Sequence, residues 1–183
     1  APHDMPTLLQ GKTALVMGPG LGDGPRVYEL VAEGLSAGMP TLIDADGLNA
    51  LARGGPEILL SASGPLVLTP HPKELSRLLD TELRTVVEDP LAAVEEAANR
   101  FRCTVLLKGA VTLIAGAEST LFSNRGCAGM AKGGSGDVLS GVIGGFLAHG
   151  AEPQYAAGAG AYLAGLAGEA AMARYGSTAM TPY

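Results

Sequence analysis

Short apolar runs rich in Val, Leu and Ile alternate along the chain with longer stretches whose apolar positions return every three or four residues. Thr13 to Met17, Thr41 to Asp44, Leu66 to Thr69 and Thr104 to Leu107 lack polar alternation, the pattern of strands covered on both faces. Pro25 to Ser36, Lys73 to Leu79 and Pro90 to Phe101 have helical spacing, two of them opening on proline, which is favoured in a first turn. This alternation predicts an α/β fold with a largely parallel sheet. Val111 to Ala115 and Ser119 to Ser123, joined by Gly116-Ala117-Glu118, predict a β-hairpin attached to it. Beyond Asp137, apolar residues at Val138, Leu139, Val142, Ile143, Phe146 and Leu147 mark one helical face that ends at His149-Gly150. A last helix is expected over Pro153 to Arg174, buried and closely packed because Gly158, Gly160, Gly165 and Gly168 offer no side chain.

Composition narrows the class. A length of 183 residues suits a single domain over 1–183, and 47% apolar against 16% charged residues excludes a disordered chain. The net charge of −6, with no Lys or Arg cluster, argues against nucleic acid or an acidic membrane surface as partner, so an anionic ligand needs local donors. No apolar run reaches the ~20 residues that cross a bilayer. Cys103 and Cys127 are too few for a disulfide framework or a zinc site, and no signal peptide pattern opens the chain. The cytoplasm is the default expectation.

Five segments carry candidate chemistry. Lys132-Gly133-Gly134-Ser135-Gly136-Asp137 stands directly before the strongest helix, so Gly133, Gly134, Ser135 and Gly136 can form an anion hole of backbone N–H groups at a positive helix end. Asp137, at its mouth, can take the proton of a hydroxyl that attacks phosphorus, or merely cap the helix. The order of a Walker loop is absent. Met17-Gly18-Pro19-Gly20-Leu21-Gly22 follows a strand, at the sheet edge where open α/β folds bind ligands, or is a tight turn only. His71, between Pro70 and Pro72, has an extended and restricted backbone that suits ligand contact, although it also fits a capping position. Lys108-Gly109-Ala110-Val111-Thr112 lies at a strand end where Lys108 and Thr112 can flank a phosphate or ribose. Asp44 and Asp46 offer carboxylates that either assist a magnesium ion or cap the following helix, and capping is the simpler reading.

Taken in order, G-P-G-L-G, D-A-D-G-L-N-A-L, L-T-P-H-P-K-E-L, L-L-K-G-A-V-T and N-R-G-C-A-G-M-A-K-G-G-S-G-D-V-L-S-G resemble the NAD(P)H-hydrate dehydratase family of the ribokinase-like superfamily. The motifs run from Gly18 to about Gly168. The resemblance implies a ribokinase-like fold and a reaction in which ADP, or ATP, with Mg2+ drives loss of water from the hydrated nicotinamide ring of NADH or NADPH, leaving AMP and phosphate when ADP is used. It implies Asp137 as the catalytic group; Gly20, His71 and Asp137 as contacts to the hydrated dinucleotide; and Lys108, Gly109, Ala110, Val111, Thr112 and Gly136 as the nucleotide site. The metal ligands stay unassigned. A homo-oligomer is expected, a homotetramer in this family, and the Ala and Gly of the last helix would permit close subunit packing.

Two departures stand out. Cys127 occupies a place where members commonly carry Asn. Members also have further strands and helices before G-P-G-L-G, whereas 17 residues precede Gly18, so the N-terminal part of the family fold is expected to be missing, and the ending at Met180-Thr181-Pro182-Tyr183 looks clipped. Two other readings compete: a vitamin-precursor kinase of the same superfamily, against which T-P-H-P and K-G-A weigh, and a nucleotide-binding module without catalysis.

Overall fold

In the computed structural model, which describes residues 4–182, the apolar runs become strands because their side chains are buried on both faces. Strands β1 (Leu15–Met17), β2 (Thr41–Ile43), β3 (Leu66–Leu68) and β4 (Thr104–Leu107) pair side by side in parallel, and β5 (Thr112–Ala115) and β6 (Thr120–Ser123) continue the sheet antiparallel. The sheet order is β1-β2-β3-β4-β5-β6. The expected α/β fold and hairpin are both present.

Helices α1 (Met5–Leu9), α2 (Arg26–Leu35), α3 (Ala45–Gly54), α4 (Pro72–Leu79), α5 (Leu83–Glu88) and α6 (Pro90–Phe101) precede or join the parallel strands, with a 3-10 turn over Pro56–Ser61. Right-handed crossovers between strands in sequential order bring the connecting helices to one face of the sheet. Accordingly Ile43, Leu68 and Val105 pack with Val31, Leu51, Leu75 and Phe101 in one core. The intervening residues Leu42, Val67 and Leu106 point the other way, against Ile143 and Leu147 of α7 (Ser135–Ala148) and Ala156, Ala157 and Ala161 of α8 (Pro153–Ala179). The result is three layers with the sheet in the middle.

Local chemistry fixes several boundaries. β2 stops at Ile43 because Asp44 turns out to become the N-cap of α3, and β3 stops before Pro70, which has no N–H to continue the ladder. The short α1, α5 and 3-10 turn have too few turns to show a period in the sequence. α7 buries Ser140, Ile143, Gly144 and Leu147, a stripe rotated from the expected face, and Val138 is 42% exposed. The rotation is set by β1, since a Cβ on Gly144 would collide with Val16. α8 runs to Ala179, with Gly176 (φ 76°) interrupting its helical backbone, and buries only one face, including Gly160, Gly165 and Gly168. A Cβ at Gly160 would collide with Ile143, so the missing side chain sets the approach of α7 to α8.

Candidate active site at the carboxyl edge of the sheet

The parallel strands all end on one edge, which gathers Gly18 after β1, Asp44 after β2, the Thr69-Pro70-His71 turn after β3 and Lys108 after β4. Gly18 sits at φ 122°, and a Cβ there would overlap the carbonyl oxygen of Asp44, so the first loop crosses directly over the second strand end. Further along that loop, the N–H of Gly22 donates to Asp46 Oδ2 at 2.8 Å. Gly20 (φ 72°) stands in open space between these two anchors.

Asp44 and Asp46 therefore do not converge on a common point. Asp46 holds the first loop, while the buried Asp44 carboxylate accepts from the Ala45 N–H at 2.8 Å, Lys108 Nζ at 2.7 Å and Ser140 Oγ at 2.9 Å. Capping is thus part of what Asp44 does, and the rest links three elements. Among the described residues no three His, Cys, Asp or Glu side chains come together to hold a metal. A Mg2+ ion here would be carried chiefly by nucleotide phosphates with at most one or two carboxylates, the usual arrangement for that ion.

His71 is the N-cap of α4. Its Nδ1 accepts from the N–H groups of Lys73 and Glu74 at 3.1 and 3.3 Å, and buried Glu74 reaches back to accept from His71 N–H at 2.8 Å. The capping reading of His71 holds, and the capping ring also lines a cavity of about 890 Å3. Lys108, Gly109, Ala110, Thr112, Ser135 and Gly136 share that cavity. Gly20, Val111, Gly133, Gly134 and Asp137 do not line it.

At the glycine loop, Gly134 (φ 91°) is the N-cap of α7 and no side chain caps the helix, which leaves first-turn N–H groups without a side-chain acceptor. Asp137 is therefore not the cap. It is an exposed first-turn residue next to Gly136, and its carboxylate accepts no hydrogen bond from the described residues. Lys132, which by position could serve an anion, is committed elsewhere: its ammonium donates to the carbonyls of Ser177, Thr178 and Met180 at 3.0, 2.8 and 2.8 Å.

Four residues escaped the reading of the sequence. Glu74 and Ser140, which stand inside the L-T-P-H-P-K-E-L and D-V-L-S-G stretches without a role assigned to them, partner His71 and Asp44 from within helices. Arg125 lines the far wall of the cavity, paired with Glu169 at 3.2 Å and stacked over Tyr162. Glu169 also takes the N–H of Gly126 at 2.9 Å, which fixes the segment entering the loop. Next to it Cys127 donates to the Gly168 carbonyl at 3.4 Å, which ties it to α8.

A family model described as NAD(P)H-hydrate dehydratase matches residues 3–183. The chain is 45% identical over 168 residues to the bifunctional NAD(P)H-hydrate repair enzyme Nnr of Moorella thermoacetica, which covers 91% of this chain and 32% of that protein. It is 42% identical over 164 residues to the ADP-dependent (S)-NAD(P)H-hydrate dehydratase of Neisseria meningitidis serogroup B, covering 87% of this chain and 55% of that one. Among solved structures, the ADP/ATP-dependent NAD(P)H-hydrate dehydratase of Bacillus subtilis, co-crystallized with ATP/Mg2+ and soaked with CoA, superposes with a TM-score of 0.79 at 27% identity. That match covers 92% of this chain and 61% of the other. The chain thus spans between about a third and three fifths of these relatives, and it shares their ribokinase-like α/β fold.

Proposed function

Since the chain belongs to the NAD(P)H-hydrate dehydratase family, we propose that it uses ADP to dehydrate the hydrated form of NADH or NADPH, restoring the reduced cofactor and releasing AMP and phosphate. The observation that supports this most is the cavity in which His71 faces the Lys108 to Thr112 segment and the uncapped start of α7. Asp137, whose carboxylate has no hydrogen-bond partner among the described residues, takes the proton of the ring hydroxyl as its oxygen attacks the terminal phosphorus of ADP. The phosphorus–oxygen bond to AMP breaks, and the phosphoryl group is held by the N–H groups of Gly133 to Gly136. Lone-pair density from the ring nitrogen then expels phosphate, a proton is lost from the adjoining carbon, and the reduced ring is restored. Lys108 neutralises charge on the nucleotide phosphates, and His71 and Gly20 contact the hydrated dinucleotide. Mg2+, when bound with the nucleotide, supplies charge compensation to those phosphates.

No helix among the described residues is long and apolar enough to cross a membrane, in keeping with a cytoplasmic enzyme. Tyr155, at 72% exposure on α8 and close to the exposed Tyr162 and Leu163, supports a homo-oligomer, with a homotetramer as the family expectation. The direct test incubates the chain with hydrated NADH and ADP and follows recovery of reduced-nicotinamide absorbance alongside AMP release. Recovery that disappears with Asp137→Asn while ADP still binds is the expected result. Phosphorylation of an unrelated alcohol with no recovery of NADH would replace this reading by that of a small-molecule kinase, and ADP binding without either reaction would leave a binding module.

A further inference from the structure

Lys108 carries its ammonium to the start of α7, held by a buried carboxylate. The end of β2 supplies Asp44, 1% exposed, whose Oδ1 accepts from Lys108 Nζ at 2.7 Å. Its other oxygen accepts from Ser140 Oγ at 2.9 Å, and Ser140, also 1% exposed, lies one helical turn beyond Gly136. A Cβ on Gly136 would stand 3.5 Å from Asp44 Oδ2 and 3.8 Å from Lys108 Nζ, so the ion pair rests directly against the first turn of α7. Thr69, at the end of the strand between Asp44 and Lys108, offers no competing anchor, because its buried hydroxyl makes no hydrogen bond among the described residues. Glu74, the other carboxylate near the ammonium, is 3.9 Å away, beyond hydrogen-bonding reach.

We propose that Asp44 and Ser140 are positioning residues for the nucleotide site: Ser140 fixes the Asp44 carboxylate, and Asp44 fixes the Lys108 ammonium beside Gly136 so that its remaining N–H groups meet the phosphates of a nucleoside diphosphate. A flexible four-carbon stem leaves a lysine ammonium poorly defined unless something anchors it, and a buried carboxylate is the strong, charge-assisted way to do so. Without Asp44 the ammonium is drawn toward Glu74, whose carboxylate is already committed to His71 N–H. The hydroxyl of Ser140 adds geometry: it occupies the second carboxylate oxygen, so the first stays aimed at Lys108.

This rests on the assignment of Lys108 to the nucleotide site above, and a double-mutant cycle separates the two. Dissociation constants for ADP are measured by calorimetry, and KM and kcat for ADP in the dehydratase assay, for the chain, Asp44→Asn, Lys108→Gln and the double variant, with thermal melts in parallel. Asp44→Asn weakens ADP binding roughly 10-fold, the scale of one charge-assisted hydrogen bond, with kcat changed by less than about threefold. In the Lys108→Gln background the same substitution costs less than about twofold, because its effect passes through the ammonium. Ser140→Ala, which keeps the Asp44 charge and serves if Asp44→Asn does not fold, weakens ADP binding about threefold and likewise loses its effect without Lys108. Equal losses in both backgrounds would mean that Asp44 and Ser140 act only as structural parts of the fold, and would overturn the proposal. ADP binding that is indifferent to Lys108→Gln would overturn the nucleotide assignment itself, and the positioning role with it.

Discussion

His71 and Glu74 cap one another across the first turn of α4: the N–H of His71 donates to Glu74 Oε2 at 2.8 Å while His71 Nδ1 accepts the N–H of Glu74 at 3.3 Å. An imidazole nitrogen that accepts carries no proton, so the neutral ring bears its hydrogen on Nε2. The side chain keeps 46% of its surface, which leaves the ring able to meet a ligand in the cavity while its backbone face is fixed.

Capping and ligand contact are separable at this position. Asn is a good N-cap, so His71→Asn is expected to cost less than about 0.5 kcal/mol of stability, whereas His71→Ala costs about 1 kcal/mol. Both variants lose the ring that lines the cavity and raise KM for the hydrated dinucleotide to a similar degree. Urea titrations paired with steady-state kinetics check this. A His71→Asn enzyme with normal KM would show that His71 does nothing but cap.

These pairings also show what a sequence reveals and what it conceals. The β-branched runs and the proline-led helices were legible because burial on both faces of a parallel sheet, and on one face of a helix, imposes short-range periods. The glycine loop and the Lys108 segment were legible because each lies at a strand or helix end. Asp44 was visible as a cap for the next helix or a carboxylate for magnesium, but not as an anchor for a lysine, since its partners Lys108 and Ser140 are 64 and 96 residues further on. Contacts of that separation leave no local pattern. The rotation of α7 was hidden for the same reason: Val138 and Val142 look as apolar as Ile143, and only the contact of Gly144 with Val16 of β1 decides which stripe faces inward.

Lys132 makes a related point, being a lysine of the glycine loop that lines the cavity while its ammonium is held by carbonyls at the end of the last helix. Its three bonds to Ser177, Thr178 and Met180 place a cation at the carboxyl end of α8, where the helix dipole favours one. Lys132→Met is expected to lower stability by about 1 kcal/mol and to speed proteolytic cleavage after Gly176, with ADP affinity changed by less than about twofold. Limited proteolysis followed by mass spectrometry, together with calorimetry, reads both effects. A large loss of ADP affinity with unchanged proteolysis would show instead that Lys132 turns to the phosphates.

Two glycines of the first loop separate strain from collision. Gly18 and Gly20 both have positive φ, at 122° and 72°. Only at Gly18 does a Cβ meet an immovable neighbour, the Asp44 backbone carbonyl, while the space at Gly20 is open. Gly20→Ala is expected to cost about 1 kcal/mol from the backbone conformation alone, and Gly18→Ala at least ~3 kcal/mol. For a chain of this size that difference lowers the melting temperature of Gly18→Ala by several degrees more than that of Gly20→Ala. Equal melting temperatures would mean that the first loop can lift away from β2.

Cys103, just before β4, supplies a pH test of the core. It packs against the core on the α1 to α6 face of the sheet, and burial pushes its thiol from an ordinary value of 9.0 up to about 12. A group whose pKa is raised on folding holds its proton more tightly in the native state. The associated stability is therefore fully present below about pH 9 and is lost as the pH rises from there toward 12. Urea stability should fall more between pH 8.5 and 10.5 for the unaltered chain than for Cys103→Ala, in which this linkage is gone. The raised pKa leaves little thiolate near pH 8, so iodoacetamide should modify the half-buried Cys103 slowly in the folded chain, and urea should accelerate the reaction sharply. Rapid alkylation of the folded chain at Cys103, identified by peptide mapping, would show that burial does not hold its proton.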